Sequence, residues 1–310
     1  MKRALIFGIA GYTGQNLAKE LKNNGYEVIG CDLKYLQSGP LYDGFYRIDV
    51  TDAHEVNYVI DRVNPTHIFN LTDIGGVGQS WKNPQLAVAV NITGVINILE
   101  ACKSFLMKPR ILLVGTADQY APSEMPLNEE SKLGASSPYG ISKQAHESLA
   151  KMYHAKYDMP IYCVRVFNYI GVGQNEKFVI PQMAKQAADL AKAKKDGTIY
   201  VGNIHISRDF LDVRDLVKAY RIVIESSNPE EIYNIGYGIS YPIDGLLNYI
   251  LGLANNVKVD VKVDDNLLRP TDNKYVCCDR SKITKRLGWN PEYNIYNTIK
   301  DIYNSYLESK

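Results

Sequence analysis

Gly8, Gly11 and Gly14 follow directly on the apolar run Ala4-Leu5-Ile6-Phe7, and this juxtaposition limits the possible folds more than any other feature of the chain. A strand that turns at once into a helix needs Gly8 for the tight turn and Gly14 for close helix packing. Gly11 lets backbone approach a pyrophosphate, whose charge the helix N-terminus favours. The helix itself is expected over 15–23. An acidic residue, Asp32, closes the next strand-like run 18 residues beyond Gly14, where a carboxylate can accept hydrogen bonds from an adenosine ribose and repel a 2′-phosphate. The expected cofactor is therefore NAD(H) rather than NADP(H), although Lys34 points the other way. Asp49 after the third strand either caps an adenine amino group or belongs, with Thr51 and Asp52, to a helix N-cap. Tyr12 and Thr13 in the turn, and Val50, Leu71 and Thr72 at later strand ends, complete the expected cofactor contacts.

Strand-like runs at 3–7, 27–31, 44–48, 67–71, 110–115 and 160–167 alternate with helical patterns. Such alternation predicts a Rossmann-like, doubly wound parallel α/β sheet. After residue 167 the rhythm becomes irregular. The expected organisation is a dinucleotide-binding domain over 1–167, to which roughly 204–236 returns through a strand near 206–212 and a helix from Arg214. A smaller, interleaved α/β substrate-binding lobe takes 168–203 and 237–310.

Composition narrows the functional classes. With 35 basic and 34 acidic residues the net charge is +1, so no global field draws nucleic acid or an anionic membrane, and neither is an expected partner. No apolar run reads as long enough to span a bilayer. Glycines and polar residues break the apolar start too early for a secretory signal. The five cysteines are odd in number and sit mostly in apolar contexts, which suits reduced thiols and a cytoplasmic location. The five histidines lack ligand spacing, and no metal is expected.

Tyr139 and Lys143 stand at i and i+4 on a helix introduced by Ser136-Ser137-Pro138. A phenol of ordinary pKa near ~10 is a poor acid or base at neutral pH, and a neighbouring ammonium stabilises its ionised form. Thr116, at the end of the fifth strand, supplies a third polar group to orient a substrate oxygen with which the phenol exchanges a proton. An ordinary amphipathic helix would show the same spacing, and Tyr-x-x-x-Lys alone is common.

Taken together, the Gly-rich turn, Asp32, Thr116, Tyr139, Lys143 and Arg165-Val166-Phe167-Asn168-Tyr169-Ile170-Gly171 resemble the extended short-chain dehydrogenase/reductases that modify nucleotide sugars. The resemblance runs essentially the whole length. Val201-Gly202-Asn203, Arg208-Asp209-Phe210-Leu211-Asp212 and Arg269-Pro270-Thr271-Asp272 are similar to its GDP-sugar branch, which includes GDP-mannose 4,6-dehydratase and GDP-4-keto-6-deoxymannose reductase. The resemblance implies that Asn168, Arg208 and Arg269 hold a nucleotide diphosphate, that Asp272 meets its ribose, that Phe178, Val179 and Lys185 border the nucleotide, and that Asn203 belongs to the same substrate site. Guanidinium groups suit diphosphates; a salt bridge from Arg208 to Asp209 or Asp212 is the competing role. Dehydratases of the family carry a glutamate two positions after the threonine, where this chain has Asp118. That difference favours reduction of a GDP-linked 4-keto-6-deoxysugar by Tyr139, Lys143 and Thr116, ahead of 4,6-dehydration with Asp118, then 4-epimerisation, and last a non-catalytic dinucleotide sensor. The resemblance further implies a homodimer through two helices, near 83–107 and 139–157, whose Leu86, Val90, Ile92, Val95, Ile96 and Leu99 exceed one buried stripe.

Overall fold

The computed structural model describes residues 1–36, 41–74, 76–226, 228, 229, 231–268 and 273–309. Seven strands form its main sheet: β1 (Arg3–Phe7), β2 (Glu27–Asp32), β3 (Gly44–Arg47), β4 (His67–Asn70), β5 (Arg110–Thr116), β6 (Ile161–Val166) and, much later in the chain, Ile232–Ile235. All neighbours pair in parallel. The spatial order, from one edge, is Ile232–Ile235, β6, β5, β4, β1, β2, β3. The order reverses between β1 and β4, the position where an open α/β sheet leaves a crevice at its carboxyl ends. The sheet is doubly wound as expected.

Both faces of this sheet are covered because its strands are apolar on both sides, as parallel strands must be. Helices Tyr12–Asn23, Val213–Ser226 and Ser281–Leu287 contribute Leu17, Leu216, Tyr220 and Ile283 to the core on one face. Helices Ala53–Val63, Gly94–Cys102 and Pro138–Tyr157 contribute Val59, Ile98 and Tyr153 to the core on the other.

The remaining strands are β7 (Asn168–Ile170), β8 (Gly197–Val201), β9 (Ser207–Asp212), β10 (the seventh main-sheet strand, Ile232–Ile235), β11 (Ser240–Pro242), β12 (Val259–Val263) and β13 (Tyr275–Val276). β9 pairs with β7, β11 and β13, while β8 pairs with β12. A third core lies among helices Val179–Ala193, Ile243–Leu253 and Ile295–Glu308, through Ile180, Leu247 and Ile299.

Three expectations are corrected. The strand near 206–212 does not return to the main sheet; β10 does, because β6 keeps an open edge that Ile232–Ile235 fills in register with Cys163–Val166. The first helix begins at Tyr12 rather than Gln15, since extended Gly11 caps it and Gly14 is already helical. Finally, one run does reach membrane-spanning length and composition: the continuous helix of 19 residues from Pro84 to Cys102. Its C-terminal half packs in the protein core, with Val95, Leu99 and Cys102 buried there. Ala89–Thr93 within it is a single π-helical turn, a local widening that often marks functional segments.

Candidate active site

The Gly-rich turn forms where the sequence places it. Gly8 adopts φ +86°, and a side chain there would meet the Leu71 carbonyl carbon at 2.9 Å and Thr72 N at 3.1 Å. At Gly14 a Cβ would stand 2.3 Å from the Gly8 oxygen, so both positions require glycine sterically. Among the described residues the buried hydroxyl of Tyr12 has no hydrogen-bond partner; its ring stacks on Tyr169, whose own hydroxyl lies 2.9 Å from Thr13 Oγ1. The bare backbone cradle and the helix N-terminus above it fit a dinucleotide pyrophosphate.

Asp32 closes β2 as anticipated, its carboxylate accepting from Ala10 N and Lys34 N, both at 3.0 Å. Asp49 instead braces a turn, accepting from both the amide and the hydroxyl of Thr51. The following helix is capped by Asp52. Val50 is buried against Gly94.

Tyr139 and Lys143 project from the helix Pro138–Tyr157, started by the Ser137 cap and Pro138. Lys143 Nζ lies 5.7 Å from the Tyr139 ring centroid. The turn after β5 comes against the same helix, where a Cβ on Gly140 would meet the Asp118 carbonyl at 2.6 Å; this glycine admits the close approach. On that turn Asp118 Oδ2 accepts from Thr116 Oγ1 at 3.4 Å, and Asp118 N donates back to the hydroxyl at 3.3 Å. The phenol of Tyr139 is pushed well above its ordinary value by burial, then by Asp73 and Asp118.

Several residues that shape this site were given no role from the sequence. Asp73, just past β4, reaches both Tyr139 and Lys143. Beneath Thr116 runs a buried chain in which Thr116 N donates to Gln119 Oε1, Gln119 Nε2 to Glu147 Oε1, and Arg165 Nε and Nη2 to the two Glu147 oxygens at 2.7 and 2.8 Å. Arg165 Nη1 donates onward to the Tyr120 hydroxyl. Position at the carboxyl end of a central strand is the signal that could have marked Asp73; Glu147 stands one turn beyond Lys143.

Of the expected substrate residues, Asn168 opens β7 and is exposed, two residues beyond Val166, which pairs with Thr116. Phe178 is the exposed residue before helix Val179–Ala193. Lys185 is engaged by Asp189 at 2.8 Å, and Asn203 accepts from His205 N. Arg208 donates to the carbonyls of Ser207 and Asn273. Asp209 accepts three backbone N–H groups and Asp212 pairs with Arg214. Arg269 and Asp272 lie outside the described residues.

The family profile of GDP-mannose 4,6 dehydratase matches residues 5–302. The chain belongs to that family. It is an enzyme of the extended short-chain dehydrogenase/reductases, as the Gly-rich turn and Tyr139-x-x-x-Lys143 implied. A GDP-6-deoxy-D-mannose reductase of Pseudomonas aeruginosa is 28% identical over 77% of this chain and 79% of its own. A UDP-glucuronate 4-epimerase of Thermodesulfobacterium geofontis is 29% identical over 97% of this chain and 94% of its own. Among solved structures, RMD from Pseudomonas aeruginosa complexed with NADPH superposes with a TM-score of 0.87 at 24% identity, covering 99% of each chain. The members of this family similar to this chain thus divide between reaction types.

Proposed function

We propose that the protein reduces the C4 carbonyl of a GDP-linked 4-keto-6-deoxysugar, with NADH preferred over NADPH. The observation that supports this reading is Lys143 Nζ 5.7 Å from the Tyr139 ring, on a helix whose Gly140 packs against the Asp118 carbonyl of the turn after β5, with Asp118 folded back onto Thr116. Gly8, Gly11, Gly14 and Asp32 would hold the cofactor, which when bound supplies the hydride. Tyr139 gives its proton to the C4 oxygen, and Thr116 orients that oxygen with its hydroxyl. Lys143, 2% exposed, keeps a positive charge beside the phenol as the proton leaves. Asn168, Arg208 and Arg269 would take the diphosphate; the fractional likeness to a reductase of GDP-6-deoxy-D-mannose supports the GDP assignment. Helices Pro84–Cys102 and Pro138–Tyr157 expose Leu86, Val88, Ile141 and Met152, and we assign this face to a homodimer contact. All five cysteines are buried thiols, in keeping with a reducing, cytoplasmic setting.

A second reading, 4,6-dehydration, is favoured by the carboxylate of Asp118 two positions after Thr116. One assay separates the two. Purified protein is mixed with a GDP-linked 4-keto-6-deoxyhexose and either NADH or NADPH, and the near-ultraviolet absorbance of reduced nicotinamide is followed. Stoichiometric loss of absorbance, faster with NADH, is expected. Unchanged absorbance there, together with conversion of a GDP-hexose supplied in its place with no net change in cofactor, contradicts the reductive reading.

A further inference from the structure

One carboxylate at the mouth of the site takes no part in the reaction as written. Asp73 Oδ2 stands 3.4 Å from the Tyr139 hydroxyl and 3.4 Å from Lys143 Nζ. Its place is fixed from behind. The next residue, Ile74, donates its N–H to Asn91 Oδ1 at 3.1 Å, and Asn91 Nδ2 donates to Ser142 Oγ at 2.9 Å. Ser142 Oγ donates in turn to the Tyr139 carbonyl at 2.8 Å, while Tyr139 N donates to Ser80 Oγ. Asn91 lies in the π-turn, and its carbonyl meets His146 Nε2 at 2.7 Å. The loop carrying Asp73 and the helix carrying Tyr139 and Lys143 are therefore joined through one buried asparagine.

An ammonium beside a phenol favours the phenolate; a carboxylate that pairs with the ammonium and also touches the phenol opposes it. The remaining groups facing Tyr139 are Asp118 from the turn after β5, Tyr169 from β7 and Tyr220 from helix Val213–Ser226, and they act in the same direction as Asp73. Lys143 is the cation of the set, with neutral His146 behind it.

We propose that Asp73 is a positioning residue that ties down the Lys143 ammonium and accepts the Tyr139 hydroxyl proton in a hydrogen bond, so that the tyrosine waits in its protonated form, poised to give a proton rather than take one. The inference rests on the reductive reading, in which Tyr139 must enter the step carrying its proton.

Ring-carbon-labelled tyrosine makes the phenol observable by NMR in protein without substrate, and the Tyr139 signal is the one absent from Tyr139→Phe. In the unaltered protein that signal is expected to stay at its protonated position up to about pH 10. In Asp73→Asn it should move toward the phenolate position about one pH unit or more earlier. Asp73→Ser should act alike, Asp73→Glu should restore the original profile, and Asp118→Asn should shift it less. An unmoved signal in both Asp73→Asn and Asp73→Ser, or a larger shift in Asp118→Asn, overturns the assignment. No sugar or hydride enters this titration. A shifted signal in a protein that never oxidises NADH would therefore sink the reductive reading while leaving the contact with Asp73 in place.

Discussion

Three buried ionisable side chains make stability depend on pH in a direction that follows from their surroundings. Burial holds His146 down to about 3 and His67 to about 4, from an ordinary 6.5, and holds Asp209 up to about 6, from 3.8. A histidine kept neutral in the fold binds fewer protons than it does unfolded, so its contribution is intact above pH 6.5 and is lost as pH falls toward the folded value. Asp209 runs the other way, binding its proton more readily when folded, so it adds stability as pH falls from about 6. Between pH 7 and pH 5 the histidines together lose roughly 4 kcal/mol and Asp209 restores roughly 1 kcal/mol, so the histidines win. Urea midpoints should be clearly lower at pH 5 than at pH 7, and His146→Gln should flatten the difference; equal midpoints in the unaltered protein would contradict this account. Gly8, Gly14, Tyr139 and Lys143 were legible from the sequence because their chemistry depends on spacings within one turn or one helix. Asp73 was not, because its meaning comes from a helix 66 residues later.

At the level of elements, the turn that presents Thr116 is held from below by helix Pro138–Tyr157 and strand β6. Glu147 and Arg165 are 7% and 4% exposed and bound through two parallel hydrogen bonds. Such a buried pair adds little against an apolar replacement, yet removing one member strands the other. Arg165→Met should cost about 3–5 kcal/mol of unfolding free energy, measured by urea denaturation, and the Glu147→Gln, Arg165→Met double variant should cost less than Arg165→Met alone. Additive losses would show that the two side chains do not act as a pair. Helices and strands up to residue 167 were readable because local periodicity specifies them. The destinations of β9 and β10 were not, because no local pattern in Ser207–Asp212 or Ile232–Ile235 names a partner strand, and only open sheet edges decide which strand goes where.

For the molecule as a whole, the parallel sheet brings three distant segments to one crevice: the Gly-rich turn after β1, Asp73 after β4 and Thr116 at the end of β5. The alternation of strands and helices made that crevice predictable, whereas Arg208 and Arg269 were expected at the nucleotide end from the family resemblance alone, since no periodicity marks them. The central claim is that Tyr139 transfers the proton that accompanies hydride delivery. It is tested most directly by the single-turnover rate of NADH oxidation by Tyr139→Phe, with circular dichroism and NADH affinity measured on the same sample. The account predicts a rate lower by about 10²–10⁴-fold with fold and NADH affinity retained; a rate equal to that of the unaltered protein would contradict it.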